Sequence, residues 1–293
     1  MIEGVEFGAA LRQLASKAGV QLKRENPELR TQRQRLYEIC ELATLFFEKQ
    51  LKEDKSGKEA EQYLESRGIT QESIRKWRIG WSPDAWQGLS DFLVGKGYAR
   101  EEIERAGLST RNDKGSFYDR FRGRIIFPIF DLNSQVVGFG GRVFAASAEA
   151  LAKAEREQVA KYVNIPNTLL YDKSRILYGL HEAKQDIRQK QECILVEGYT
   201  DAILVSQAGF PNVVASCGTA LTPFHLNILK RYSDNILTAF DMDFAGDSAT
   251  KRGIDLAQEM SFNIKVLLLP EGTDPADIAK KDSGLLSKLI DEA

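Results

Sequence analysis

Apolar positions recur at helical spacing through the first sixty residues. Phe7, Leu11, Leu14 and Ala18 fall on one face and predict a first helix with Gly19 at its C-cap. Leu36, Ile39, Cys40, Ala43, Phe46, Phe47 and Leu51 predict a longer helix, which Gly57 is expected to break. Ala60, Tyr63 and Leu64 open another that ends at Gly68, and Thr70 is a candidate N-cap with Ser73 three residues later. Trp77, Trp81 and Trp86 follow beside apolar neighbours, which reads as core; stacking on bases is the alternative.

The spacing then changes to period two. Residues 116–144 alternate and are rich in β-branched side chains, and Asp131-Leu132-Asn133-Ser134 supplies a turn. These predict a hairpin of Arg124–Phe130 with Val136–Phe144. The Ala/Glu-rich stretch 145–157 has strong helix propensity and reads as a surface insertion. From Glu192 onward, short apolar runs alternate with helical segments. Ile194–Val196, Val213–Ala215, Ile236–Phe240 and Val266–Leu269 read as strands. Asp201–Ala208, a segment opened by Thr222-Pro223, and Ala249–Met260 read as crossover helices. The fold class is therefore α/β: a small doubly wound parallel sheet over about 189–293, preceded by an α+β lobe over about 1–188.

Three of the four C-terminal strands end in acid. Glu197-Gly198 follows the first run, Asp241-Met242-Asp243 the third, and Asp274 and Asp277 the fourth. Ligands of such sheets bind outside the carboxyl ends of the strands, so the carboxylates converge there. Their mutual repulsion calls for a divalent cation, and hard oxygen ligands suit Mg²⁺ or Mn²⁺. Asp241 and Asp243, two apart on an extended chain, share a face and suit a two-metal site; a helix cap would account for Asp243 alone. Asp201 sits at a helix start, where a negative charge is favoured, and serves the metal either directly or by supporting its ligands. Asp277 is either a second acid or a cap.

Composition narrows the function. The chain has 293 residues, 43% hydrophobic and 28% charged, as in a globular protein with ample core. It has no apolar run long enough to span a membrane and no basic-apolar leader, so no membrane role is expected. Three dispersed cysteines, Cys40, Cys193 and Cys217, exclude a zinc finger and a disulfide framework and fit a reducing cytoplasm. Net charge is −2, yet from Arg111 to Arg142 six basic side chains stand against three acidic ones. A locally basic segment facing an acidic metal centre suits a polymerising enzyme; a solvated strand face is the alternative. Gly138-Phe139-Gly140-Gly141 opens no helix and lacks the lysine-serine pair of a P-loop. His181 and His225 belong to no metal-ligand spacing.

Glu197-Gly198-Tyr199-Thr200-Asp201 with Asp241-x-Asp243-x-Ala245-Gly246 resembles the TOPRIM signature of primases, topoisomerases and some nucleases. Arg120-Phe121-Arg122-Gly123-Arg124-Ile125-Ile126-Phe127-Pro128-Ile129, Gly138-Phe139-Gly140-Gly141-Arg142, Lys161-Tyr162-x-Asn164 and Leu177-Tyr178-Gly179-Leu180 resemble the bacterial DnaG-type primase. The resemblance runs from about Gly4 to Ile290. It implies a DNA primase catalytic core that makes short RNA primers from ribonucleoside triphosphates on single-stranded DNA. Glu197, Asp241 and Asp243 would be catalytic, binding Mg²⁺ or Mn²⁺ with Asp201 and Asp274. Arg120, Arg122, Arg124, Arg142, Lys161, Tyr162, Asn164 and Lys173 would hold nucleotide and template. The family's glycine between the two aspartates is Met242 here, and its Asp-Pro-Asp is Asp274-Pro275-Ala276-Asp277, which leaves the second acid in doubt. The resemblance further implies a monomer that acts with a replicative helicase through a domain outside this chain, and no zinc in this portion. A nuclease or topoisomerase would use the same carboxylates, although Tyr199 is badly placed as a topoisomerase nucleophile. A metal-free single-strand-binding module is the non-catalytic alternative.

Overall fold

The apolar stripe from Leu36 to Leu51 is the buried side of helix α1 (Pro27–Glu53). The computed structural model describes residues 27–144, 160–240, 248–270 and 272–293. The helix expected over Phe7–Ala18, the insertion expected over 145–157, and Asp241 and Asp243 lie outside the described residues. An N-terminal unit ends at Arg35, and its described part, 27–35, is helical; Leu36–Ala293 form one compact unit.

Helix α1 ends at Glu53, ahead of Gly57. Asp54 caps helix α2 (Lys55–Ser66) by accepting from the Gly57 N–H at 3.0 Å, so Gly57 lies inside the second helix. A methyl group on Gly57 would overlap the Gln50 carbonyl, so its glycine serves the close turn between two helices. Thr70 caps α3 (Gln71–Lys76) as the sequence predicts, its hydroxyl accepting from Ser73 N at 3.2 Å. Trp77 and Trp81 are core, but Trp86 is 65% exposed, its ring covered by the Arg122 guanidinium at 4.1 Å. Local apolar neighbours do not reveal that the chain has already left the core at Pro83.

Next come β1 (Gly80–Ser82), α4 (Gly88–Gly95), α5 (Arg100–Arg105), β2 (Ser109–Arg111), β3 (Phe117–Asp119), β4 (Arg124–Phe130), β5 (Val136–Val143) and β6 (Tyr162–Asn164). Strands β1-β4-β5-β6 form an antiparallel sheet in that order. The predicted hairpin is its centre. Asp131 folds the turn by accepting from the Asn133 and Gln135 N–H groups at 2.8 and 2.9 Å. Strand β4 is buried at every position because both faces are covered. On one side Phe139 meets Phe47 of α1 edge-on, with ring centroids 5.7 Å apart; on the other Phe127 stacks on Tyr199 at 5.0 Å.

The second sheet follows from α6 (Leu180–Lys190): β7 (Cys193–Val196), α7 (Tyr199–Gln207), β8 (Val213–Ala215), α8 (Pro223–Leu229), β9 (Asn235–Thr238), α9 (Ser248–Glu259), β10 (Asn263–Val266), α10 (Pro275–Lys281) and α11 (Ser283–Glu292). Strand order is β10-β9-β7-β8, all parallel, the doubly wound arrangement that the alternating pattern predicts. Thr222 caps α8, accepting from His225 N at 3.1 Å with Pro223 in the first turn. The fourth strand departs from expectation. It pairs over Asn263–Val266, ahead of the apolar run at Val266–Leu269, because this edge strand is largely exposed and needs no continuous apolar sequence.

Helix α6 packs Leu180, Ala183 and Ile187 against Cys193, Leu195 and Val214 of the parallel sheet. The larger core runs from Leu36 to Leu286 and takes side chains from both sheets. Among the described residues no helix is long and apolar enough to cross a membrane. Cys40, Cys193 and Cys217 are unpaired.

His181 gives this fold a pH signature. Its ring lies buried on Phe130 at 4.3 Å, and burial pushes its pKa down to about 4 from 6.5. The unfolded chain therefore takes up the proton first as pH falls, and stability is lost progressively between pH 6.5 and 4. At pH 5 the loss from His181 is about 2 kcal/mol relative to pH 7. Denaturant unfolding at the two pH values measures it, and His181→Leu should flatten the dependence.

Candidate active site

Strand β7 is buried at all four positions, and Glu197 is the first residue beyond it, half-buried at the carboxyl end of the sheet. Gly198 then leads into α7. Its N–H donates to Asp201 Oδ2 at 2.9 Å, so Asp201 has a structural duty in holding the turn. The neighbouring strand end is tied to the same place: Ser216 N donates to Val196 O at 3.2 Å and Cys217 N to Glu197 O at 2.8 Å. On the other side Ala239 N donates to Leu195 O at 2.9 Å, and Phe240 and Glu197 line one cavity of about 270 Å³. The chain leading to Asp241 and Asp243 thus reaches the sheet edge that carries Glu197.

Asp274 comes to this edge from α10. It is that helix's N-cap, its Oδ1 accepting from Asp277 N at 2.6 Å. Asp277 lies in the first helical turn, so the cap is Asp274.

Glu197, Asp201 and Asp274 line a cleft of about 480 Å³ together with Arg142, Lys161, Tyr162 and Asn164 of the antiparallel sheet. Arg142 and Tyr162 are cross-strand partners, and the Arg142 guanidinium lies 4.9 Å from the Tyr63 ring and 6.0 Å from the Tyr162 ring. Burial pushes the Tyr162 hydroxyl's pKa up. Lys161 is exposed. Carboxylates on one wall and cations on the other suit a ligand that brings phosphate groups together with metal ions.

The other predicted basic residues do not line this cleft. Arg124 is buried and donates to the Gly141 and Ala160 carbonyls at 3.2 and 3.1 Å. Arg120 donates to the Gly107 carbonyl at 2.8 Å, and burial lowers the pKa of both guanidinium groups. Arg122 donates to the Asp119 carbonyl at 2.9 Å as well as covering Trp86. Lys173 is exposed, and its carbonyl is bonded by His225 Nε2 at 3.0 Å. A charge tally cannot separate arginines that fasten backbone from those that meet ligand. The cleft also has residues with no signal in the sequence: Tyr63 and Arg67 come from the end of α2, and only tertiary packing brings them here.

The donor chemistry fits a divalent cation, since the cleft offers three carboxylates from two separate segments, Glu197 and Asp201 at the β7–α7 turn and Asp274 at the start of α10. Among the described residues no three acidic, histidine or cysteine side chains gather as a complete metal cluster.

Residues 46–184 match the family model described as DNA primase catalytic core, N-terminal domain, and residues 194–279 match the Toprim-like model. A DNA primase of Deinococcus radiodurans is 38% identical over 292 residues, covering 98% of this chain and 48% of the relative. The chain spans less than half the length of such curated relatives, 48%, 36% and 46% of three of them. The RNA polymerase domain of the Mycobacterium tuberculosis primase DnaG superposes with a TM-score of 0.78 at 36% identity, covering 88% of this chain and 83% of that one. A DnaG primase catalytic domain bound to single-stranded DNA is similar to the same degree, with a TM-score of 0.78 at 33% identity, covering 90% and 82%.

The site rests on a close approach that can be tested. Gly140 faces the Tyr199 ring, and a Cβ there would overlap the ring and its hydroxyl. Gly140→Ala should lower unfolding free energy by about 1–3 kcal/mol, the scale of core overpacking, read from the shift of the denaturant midpoint.

Proposed function

The chain belongs to the family of bacterial DnaG-type primase catalytic cores, and we propose that it synthesises short RNA primers on single-stranded DNA from ribonucleoside triphosphates. The observation that supports this reading is the cleft that sets Glu197, Asp201 and Asp274 against Arg142 and Lys161. Toprim-type primases are metal-dependent enzymes, and here Glu197, Asp241 and Asp243 would hold Mg²⁺ or Mn²⁺, with Asp201 and Asp274 beside them. Bound there, the cations offset the charge of the triphosphate and polarise the reacting phosphate.

The chain's own residues supply the rest. Arg142, its guanidinium near the Tyr63 and Tyr162 rings, presents a fork to phosphate, and exposed Lys161 adds a point charge. Tyr162 lines the same cleft as these cations and Glu197. Arg124 holds the backbone of the cationic wall at Gly141 and Ala160, while Arg120 fastens Gly107 away from the cleft. We treat the chain as two functional lobes meeting near residue 188, the basic wall before it and the carboxylates after. Template, triphosphates and nascent primer are the ligands of a monomer working in the cytoplasm, with a replicative helicase engaged through sequence beyond this chain. No zinc site belongs to this reading.

Two predictions follow from the opposed walls. Asp241→Asn and Asp243→Asn should cut primer synthesis at least about a hundredfold, the scale of losing one preorganised electrostatic group, with the fold retained by circular dichroism. Labelled ribonucleotides with single-stranded template and Mg²⁺ or Mn²⁺ provide the assay. Undiminished divalent-ion binding by calorimetry in the double variant would reject the site. Arg142→Ala and Lys161→Ala should instead weaken nucleotide or template affinity and lower the salt slope by about one each, leaving metal affinity unchanged. Template cleavage by Mg²⁺ alone, with no triphosphate binding at millimolar concentration, would replace primase with nuclease.

A further inference from the structure

Asn164 lines the cleft, yet both ends of its side-chain amide are engaged within the protein. Its Nδ2 donates to the Cys217 carbonyl at 3.0 Å, and its Oδ1 accepts from the Tyr199 hydroxyl at 2.7 Å. A carbonyl can only accept, so the Cys217 oxygen fixes which way the amide points. These two partners stand on either side of Glu197. Tyr199 begins α7 two residues after it, and Cys217 N donates to the Glu197 carbonyl at 2.8 Å. Asn164 itself is anchored in the antiparallel sheet, paired with Gly140 of β5.

We infer that Asn164 is a positioning residue: its amide braces the Glu197 turn from both flanks, through Tyr199 and Cys217, and does not serve to bind nucleotide.

Backbone geometry supports this independently. Cys217 has a φ of +49°, a left-handed conformation that costs a non-glycine residue on the order of 1 kcal/mol or more and persists only where surroundings hold it. The bonds at its N–H and carbonyl are such holds, and one of them is Asn164. The Tyr199 ring is seated whether or not its hydroxyl is bonded, since it is 2% exposed, stacks on Phe127 and meets Tyr178 edge-on at 4.7 Å. The hydroxyl is thus free to act as a strut, and the Cys217 thiol bonds it too.

This inference rests on the primase reading for its activity measurement, and the test separates the two. Asn164→Ala, Tyr199→Phe and the double variant are compared for kcat, for KM of the triphosphate and for template Kd. The rate of Cys217 modification by a thiol reagent is measured alongside. Tyr199→Phe keeps the ring in its slot, so it reports even if Asn164→Ala folds poorly. Each single variant should lose about tenfold in kcat, the loss expected from one buried hydrogen bond, with KM and Kd changed less than about twofold. The double variant should lose no more than the worse single one, because both remove the same brace. Cys217 should react faster in all three.

A fivefold or greater rise in KM or Kd confined to Asn164→Ala would overturn the inference in favour of a ligand contact. Losses that multiply in the double variant, or unchanged kcat, would overturn it as well. If the wild-type chain makes no primer, the primase reading fails while the thiol rates still decide: unchanged Cys217 reactivity in both single variants would remove the brace.

Discussion

Tyr199 occupies the space that Gly140 leaves by having no side chain, and lies flat on Phe127 one strand away. That seating joins an antiparallel sheet to a parallel one. It also fixes where α7 begins, and hence where the turn carrying Glu197 must run. The constraint is steric before it is chemical. Aromatic stacking contributes of order 1 kcal/mol beyond the area buried, but the ring can lie there only because position 140 has no Cβ. The opposition of cationic and anionic walls depends on this join.

Much of this architecture can be read from local pattern. The alternation from Glu192 onward gives the parallel sheet because strands buried on both faces are continuous apolar runs, as in Cys193–Val196 and Val213–Ala215. Thr70 and Thr222 mark helix starts because capping is a property of a few adjacent residues. The edge strand Asn263–Val266 is not legible in the same way, since half-solvated strands carry little apolar signal. Gly57 shows the same limit from the other side. A glycine breaks a helix or admits a close neighbour, and only the fold tells which.

The candidate site divides along similar lines. Glu197 and Asp274 are found from sequence because strand ends point to one edge, and the cleft gathers both. Arg120, Arg122 and Arg124 are chemically indistinguishable from Arg142 in the sequence. They differ only in what lies within reach, which for the first three is backbone carbonyl. Tyr63 and Arg67 lie more than a hundred residues before Glu197, in a helix whose periodicity speaks only of packing. Asp241 and Asp243 rest on sequence together with the course of β9 as far as Phe240.

One core beneath both sheets also limits how the chain varies over evolutionary time. The segments 46–184 and 194–279 look separable when matched one at a time. The slot lies in the first and the ring that fills it in the second. Gly140 and Tyr199 are therefore a lock and its key carried on different halves, and neither tolerates a larger or differently shaped replacement without the other. Exchange of halves between relatives would preserve the site only where both inherit the same pairing, which makes the two segments a single unit of heredity despite their separable sequence signatures.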